Sequence, residues 1–377
     1  SASGAARPLM FSSDAHRGPP EAVPPQSPNE AAELSTAAPN LAPAEVQALV
    51  ARLYGIDGST IEPLAGERDQ NCAVETADGT RYVFKISNPS EPVPLVDFQV
   101  AALEHIARAS PRQPVPRVVR TVDGRTRDTV VLADGARTSV RMLTYLEGTQ
   151  IRNTPRTAAQ RMAMGRGMAE LNLALQGFTH PAAAHDLLWN VSAAHQLKVQ
   201  LHSLTEGPRR TLAQSFMTRF TEHVLPRLGS LRAQVIHNDY HLYNVLVAPE
   251  DQARITGIID FGDMLHAPLV GEVATAAAFH MTGNADPFEG PAQFVGAYQA
   301  VLPLTAAEQD IVADLMATRH LITALISEWR ALRYPENRAY IMRHNPAAWE
   351  ALSQMADLSR HEARDRLLTP THQGTAT

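Results

Sequence analysis

Cysteine is all but missing from this chain of 377 residues. Cys72 stands alone, so no disulfide can close within the chain, and a metal site built from several thiolates is excluded. Long apolar runs are missing as well. No stretch approaches the roughly 18 to 20 apolar residues that span a membrane, and the first residues lack the apolar run of a secretory signal. An excess of positive charge is missing too. The formal net charge is −6 and the isoelectric point lies near 6.2, without the basic patch that nucleic-acid binding calls for. These absences point to a soluble protein of a reducing compartment, expected in the cytoplasm, with neither nucleic acid nor membrane as partner. A cationic or neutral small molecule suits the charge balance better.

What is present is material for a large core. With 44% hydrophobic and 19% charged residues, the chain is long enough for two lobes. Residues 1–43 are rich in Ala, Pro, Ser and Gly, a composition that buries too little apolar surface to offset the entropy of ordering, so a disordered arm is expected there. Residues 369–377 read as a flexible tail. Between them, AEVQALVARLYG repeats apolar residues at helical spacing and stops at Gly55. Strand-like segments follow at Ser59–Leu64, CAVET and RYVFKIS, the last two joined by Asp78-Gly79, a strong hairpin signal. Leu95–Arg108 reads as a helix, and Pro114–Arg120, Thr129–Leu132 and Ser139–Leu146 as further strands. From about Thr157 the chain turns mostly helical, interrupted by one β interlude. The pattern is α+β, a small mixed lobe followed by a larger helical one.

The interlude holds the chemistry. In VIHNDYHLYNVLV, His237 and His241 stand four apart, the spacing of a zinc pair on a helix. A zinc hydrolase of that kind needs Glu directly after the first His and a continuous helix, whereas here Asn238 follows and the flanks are β-like. The same letters also read as His-x-Asp with Asn five residues on, the catalytic loop of a phosphate-transferring enzyme. Sixteen residues past Asn244, at the end of an apolar strand, comes Asp260-Phe261-Gly262. Phosphoryl transfer needs a carboxylate to take the acceptor's proton and oxygen ligands to hold magnesium against the phosphates. Asp239 supplies the first, and Asn244 and Asp260 the second. Such an enzyme also needs a lysine on an earlier strand for the phosphates, and RYVFKIS places Lys85 among apolar residues, where a charge is costly unless used.

RDQNCAVET, YVFKISN, VIHNDYHLYNVLV, GIIDFGDMLHAPLVGEVA and RYPENRAYIM together resemble the aminoglycoside phosphotransferase/choline kinase superfamily, and within it the hydroxylysine kinase group with its bacterial relatives. The resemblance spans roughly residues 44–366. It implies a bilobal protein-kinase-like fold, with a nucleotide-binding lobe of five strands over 44–146 and a helical lobe carrying catalytic loop and substrate site over 147–368. It also implies magnesium, and ATP or GTP as phosphoryl donor. The superfamily usually has Gly where Asn238 stands, and Asn is among the few other residues that tolerate a left-handed backbone. The loop LAGERDQNCAV has the single Gly66 in place of a G-x-G-x-x-G pattern, so Arg68, Asp69, Gln70 and Asn71 are expected near the phosphates. Either Asp97 or Glu104, which share a helix face, is expected to hold Lys85, with Asp97 favoured. The base is expected against the backbone of Thr144, Tyr145 and Leu146.

No A-P-E activation segment follows Asp260-Phe261-Gly262, which favours a small-molecule acceptor over a protein. Glu272 is expected to brace the catalytic loop. An amino-bearing acceptor requires carboxylates for its ammonium and, if it is an amino acid, an arginine for its carboxylate. Asp263, Asp186, Arg319, Glu328, Trp329 and Arg330 are the candidates, while Trp189 and Trp349 read as core. The expected activity is phosphorylation of a hydroxyl on an amino acid or amino alcohol, with 5-hydroxylysine as type substrate and a product that a PLP-dependent enzyme could consume. The alternatives are an O-phosphotransferase acting on an antibiotic or amino sugar and, in a different class, a nucleotide-binding pseudokinase, for which Asn238 is the only support.

Overall fold

The computed structural model describes residues 37–66 and 68–369, so most of the N-terminal arm and the tail lie outside it. The last arm residues, 37–42, lie against the small lobe. The Leu41 backbone exchanges two hydrogen bonds with the side-chain amide of Gln70 (2.7 and 2.8 Å). Helix α1 (Pro43–Tyr54) starts with proline at its first position, where no amide partner is needed. It ends at Gly55, whose φ of 66° closes the last turn.

Six antiparallel strands form the main sheet: β1 (Thr60–Leu64), β2 (Gln70–Glu75), β3 (Arg81–Ile86), β4 (Val118–Val119), β5 (Asp128–Val131) and β6 (Arg137–Thr144). Their order is β1-β2-β3-β6-β4, with β5 also paired to β6. This is one strand more than the resemblance implies, because β4 and β5 share β6 at different registers. The turn between β2 and β3 falls at Asp78-Gly79, with Gly79 at φ 84°, as the sequence pattern predicts. One face of the sheet packs on α1 through Val46, Val50, Cys72, Val74, Phe84 and Met142.

Helix α2 (Val93–Ala109) is inserted between β3 and β4. Its apolar residues Phe98, Ala102, Leu103 and Ile106 join the core of the helical lobe rather than that of the sheet. The two lobes are therefore bonded by burial as well as by chain.

The helical lobe contains α3 (Ala158–Ala174), α4 (Pro208–Arg219), α5 (Leu269–Ala278), α6 (Glu289–Gln299), α7 (Ala306–Arg333), α8 (Asn345–Ala356) and α9 (Arg360–Leu368). The segment AAHQLKVQLHSL, expected as an ordinary helix, lies in a 3₁₀-type run, Val191–Ser203, capped by the Asn190 side chain. The 28-residue α7 is the spine of the lobe and is anchored by a Thr305/Glu308 capping box. Every residue of α5 is buried, and Glu272 is its one charged member.

Short strands set the two chemistry-bearing loops side by side. β7 (Thr149–Gln150), β9 (Val245–Val247) and β10 (Ile255–Ile258) form one small sheet, while β8 (Ala233–Ile236) pairs with β11 (Leu265–Pro268). The loop 237–244 runs from β8 to β9, and the loop 259–264 from β10 to β11. The Ile259 amide bonds the Asn244 carbonyl at 2.9 Å and ties one loop to the other.

Candidate active site

Two non-glycine residues among those described have a left-handed backbone: Asn238 (φ 64°) and Asp260 (φ 63°). Each sits at the sharp bend of one of these loops. Such strain persists only where the surroundings over-determine it, and it gathers at functional sites. At Asn238 the restraint is visible. Glu272 Oε1 accepts the amides of His237 (2.8 Å) and Asn238 (3.0 Å), so the carboxylate on buried α5 grips the loop from behind. His237 is also fully buried. Its Nδ1 accepts the Asp239 amide and its Nε2 faces the Ile259 carbonyl at 3.1 Å, which fixes a neutral imidazole bridging the two loops. Burial pushes its pKa down, against the pull of Asp239 and Asp260.

The loop presents Asp239 in a fixed pose. Its Oδ2 accepts Asn244 Nδ2 at 2.7 Å, and its Oδ1 lies 3.1 Å from His241 Nε2. Since His241 Nδ1 accepts the Tyr243 amide, Nε2 carries the proton donated to Asp239. Burial alone would raise the Asp239 carboxyl; His241, His237 and Arg319 outweigh it and hold the group below its ordinary value. Asn244 Nδ2 also bonds the Asp239 carbonyl at 3.0 Å, which leaves the Asn244 side-chain oxygen for another task.

These groups open into one cleft of about 910 Å³ between the lobes, lined by Asp239, Asp260 and Asp263 from one side and Lys85, Arg68 and Asn71 from the other. Lys85 lies 3.9 Å from Asp69, not from either expected acid. Asp97 is engaged by Arg127 at 2.6 and 3.1 Å, and Glu104 by Arg120, because both face the outer surface of α2 toward the strands beyond it. Gln70, expected near the phosphates, spends its amide on Leu41 and does not line the cleft. Arg68 reaches across to Asp263 at 3.2 Å. Burial, with Asp239 close by, pushes Asp263 up to about 7.

Gly66 shapes this loop. A Cβ there would come closer than 3.0 Å to the Asp69 carbonyl oxygen and to Asn71 Nδ2. Gly66→Ala is therefore expected to displace the loop and weaken nucleotide binding about tenfold, within the roughly 1–3 kcal/mol that overpacking costs. A nucleotide titration checks it, and an unchanged Kd would show that the loop does not touch the nucleotide.

At the interlobe crossing, the amides of Thr144 and Tyr145 are already bonded to the carbonyls of Arg117 and Arg81. Only their carbonyls and the Leu146 backbone remain for a base, and none of the three residues lines the cleft proper. On the acceptor side the candidates separate. Asp186, Asp263 and Arg330 line the cleft, together with Trp189, which had read as core. Glu328 points the other way, into Asn345 (3.2 Å) and Trp349 (3.4 Å), and Trp329 is buried in the core. Arg319 does not line the cleft, and its guanidinium lies 4.8 Å from the Trp189 ring centre and 5.5 Å from that of Phe279. Its Nε and Nη1 are buried without an acceptor among the described residues; burial lowers its pKa, and Asp239 and Asp263 pull it back up.

Residues 60–308 match the model of the phosphotransferase enzyme family, about two-thirds of the chain. The chain belongs to that family. Relatives named hydroxylysine kinase include one from Mus musculus, 28% identical over 348 residues and covering 86% of this chain and 92% of the relative. Another, from Danio rerio, is 26% identical over 89% of this chain and 97% of its own length. Among solved structures, an amicoumacin kinase in complex with AMP-PNP, Ca2+ and its ligand superposes with a TM-score of 0.62 at 15% identity, covering 82% of this chain and 93% of that one. A microcompartment-associated aminopropanol kinase gives 0.61 at 18%, covering 87% and 99%. The fold is thus the protein-kinase-like one of this family, and the protein is a small-molecule kinase, a phosphotransferase with a hydroxyl group as acceptor.

For a phosphotransferase of this family, sequence reasoning missed two things. His241, set aside with the zinc spacing, is the donor that fixes Asp239. Its signal was its place two residues after the aspartate. Tyr334, Asn337 and Tyr340 line the acceptor side of the cleft, and only the quoted run RYPENRAYIM hinted at them. The described residues contain no cluster of three or more His, Cys, Asp or Glu able to hold a metal. Among them, no helix is long and apolar enough to cross a membrane.

Proposed function

We propose that this kinase transfers the γ-phosphoryl group of ATP or GTP to a hydroxyl of an amino acid or amino alcohol, with 5-hydroxylysine as the first acceptor to try. The observation that carries the proposal is the Asp239 carboxylate, kept ionised and fixed by His241 and Asn244 in the cleft it shares with Lys85 and Asp260. Asp239 would align the acceptor hydroxyl and take its proton as the oxygen attacks the γ-phosphorus and the nucleoside diphosphate leaves. Lys85, within reach of Asp69, would meet the α- and β-phosphates, and Arg68 and Asn71 would lie over them.

Magnesium fits the donor set. Asn244 offers its side-chain oxygen and Asp260 its carboxylate, hard oxygen ligands of the kind this ion takes, in the small number it takes when phosphates supply others. Bound there, it would neutralise charge on the β- and γ-phosphates. Relatives named hydroxylysine kinase support the acceptor class, and so does the cleft's mixture of carboxylates and arginine.

The test is nucleoside diphosphate release with each nucleotide over a panel of hydroxylated amino acids, amino alcohols and aminoglycosides. Turnover is expected with 5-hydroxylysine or a near homologue. Turnover with aminoglycosides alone would replace this reading by an antibiotic phosphotransferase, and tight nucleotide binding without any turnover would make the chain a pseudokinase.

A further inference from the structure

Most charged groups of the cleft are matched: Arg68 with Asp263, Lys85 with Asp69, Asp239 with His241. Two on the acceptor side are not. Arg330, near the end of α7, lines the cleft, yet among the described residues its side chain has no hydrogen bond and no ion pair, and its Nε is buried without an acceptor. Asp186, in the loop before the 3₁₀ run, lines the same cleft, is exposed, and is equally without a partner among the described residues.

An unmatched cation in an acceptor wall is informative. It would repel an acceptor carrying only ammonium groups, such as an amino alcohol or amino sugar, and raise the cost of binding it. An acceptor that brings its own carboxylate reverses the sign, because the planar guanidinium fork matches a carboxylate through two parallel hydrogen bonds. The unmatched Asp186 then meets the ammonium that such a molecule also carries. Arg319, eleven residues earlier, falls on nearly the same face of α7, but its guanidinium lies over Trp189 and Phe279 and it does not line the cleft. Arg330 is therefore the arginine of this face that is open to the cleft.

We propose that Arg330 binds the carboxylate of the acceptor and Asp186 its ammonium, so that the substrate is a hydroxylated amino acid and its decarboxylated counterpart is a poor one. This rests on the amino-bearing acceptor class given above and narrows it.

The experiment compares kcat/KM for 5-hydroxylysine with that for the diamine left by its decarboxylation, in the full chain. The wild type is expected to favour the amino acid by about 10- to 100-fold, the range of a lost charge-assisted hydrogen-bond pair. Arg330→Met should raise KM for the amino acid, lower it for the diamine and so erase the preference, with the nucleotide KM and Tm unchanged. Arg330→Lys, which keeps the charge but loses the fork, should fall between. Asp186→Asn should raise KM for both acceptors alike. Equal efficiency of the wild type on both overturns the Arg330 assignment and leaves the acceptor class standing. So does an Arg330→Met variant that weakens both acceptors equally or raises the nucleotide KM. Nucleotide binding with no turnover of any hydroxylated amine overturns the acceptor class as well.

Discussion

Replacing Asp239 with Ala is expected to lower kcat by about 10²- to 10⁴-fold, the usual contribution of a positioned general base, while nucleotide binds within about threefold of the wild type. The asymmetry follows from how the loop is held. Asn244 Nδ2 is bonded to both the Asp239 carboxylate and the Asp239 carbonyl, so removal of the carboxylate leaves the main-chain anchor in place. The oxygen that Asn244 would offer a metal then stays where it was. Lys85 and Asp69 belong to the other lobe and are untouched. Asp239→Asn is expected to be no better than Ala. Its amide offers one acceptor where His241 and Asn244 present two donors, so it places a donor against a donor. Single-turnover phosphoryl transfer and a nucleotide titration on the same preparations measure the two halves. Full activity in the Ala variant would remove Asp239 from the chemistry.

Local order made much of this site readable. His237, Asp239 and Asn244 fall within eight residues, and Asp260 follows the next strand, so spacing along the chain survives into space. The α+β division was readable for a similar reason, since the hairpin turn and the helical periods are local signals. The partner of Lys85 was not read. Counting back from a two-residue turn at Asp78-Gly79 pairs Lys85 with Cys72, whereas the strands run one residue out of that count and pair it with Asn71, with Asp69 on the same face two residues away. The preference for Asp97 followed the resemblance and a shared helix face but not the competing arginine at 127, which long-range packing brings beside it. Glu328 and Trp329 show a different limit. Their angular positions on α7 follow from 3.6 residues per turn, but which face of a helix buried on most sides meets the cleft is decided by the packing of the whole lobe.

Glu272 gives the second large effect. Its Oε1 accepts two buried amides of the catalytic loop, and among the described residues no cation balances it; burial pushes the group up to about 7 from its ordinary 4.5, with the two amides pulling the other way. Glu272→Ala leaves both amides without an acceptor, one of them at the left-handed Asn238, and is expected to cost about 2–5 kcal/mol in stability together with most of the activity. Glu272→Gln keeps an oxygen for the same two amides without the charge. The sign of the pH dependence separates the two roles. A carboxyl whose folded pKa is raised holds its proton in the native state where the unfolded chain has lost it, so its contribution is complete below about 4.5 and is lost as the pH rises to about 7. At about 1.4 kcal/mol per pKa unit, the wild type should lose on the order of 3 kcal/mol across that window relative to the Gln variant. Glu272→Gln should therefore be the more stable protein at pH 8 and turn over within a few-fold of the wild type. Urea unfolding of both at pH 5 and pH 8 checks this. Parallel stabilities at the two pH values would mean that folding does not raise the pKa of the buried carboxyl, and a Gln variant as inactive as Ala would mean that the charge itself, rather than the grip on the His237 and Asn238 amides, is what the catalytic loop requires.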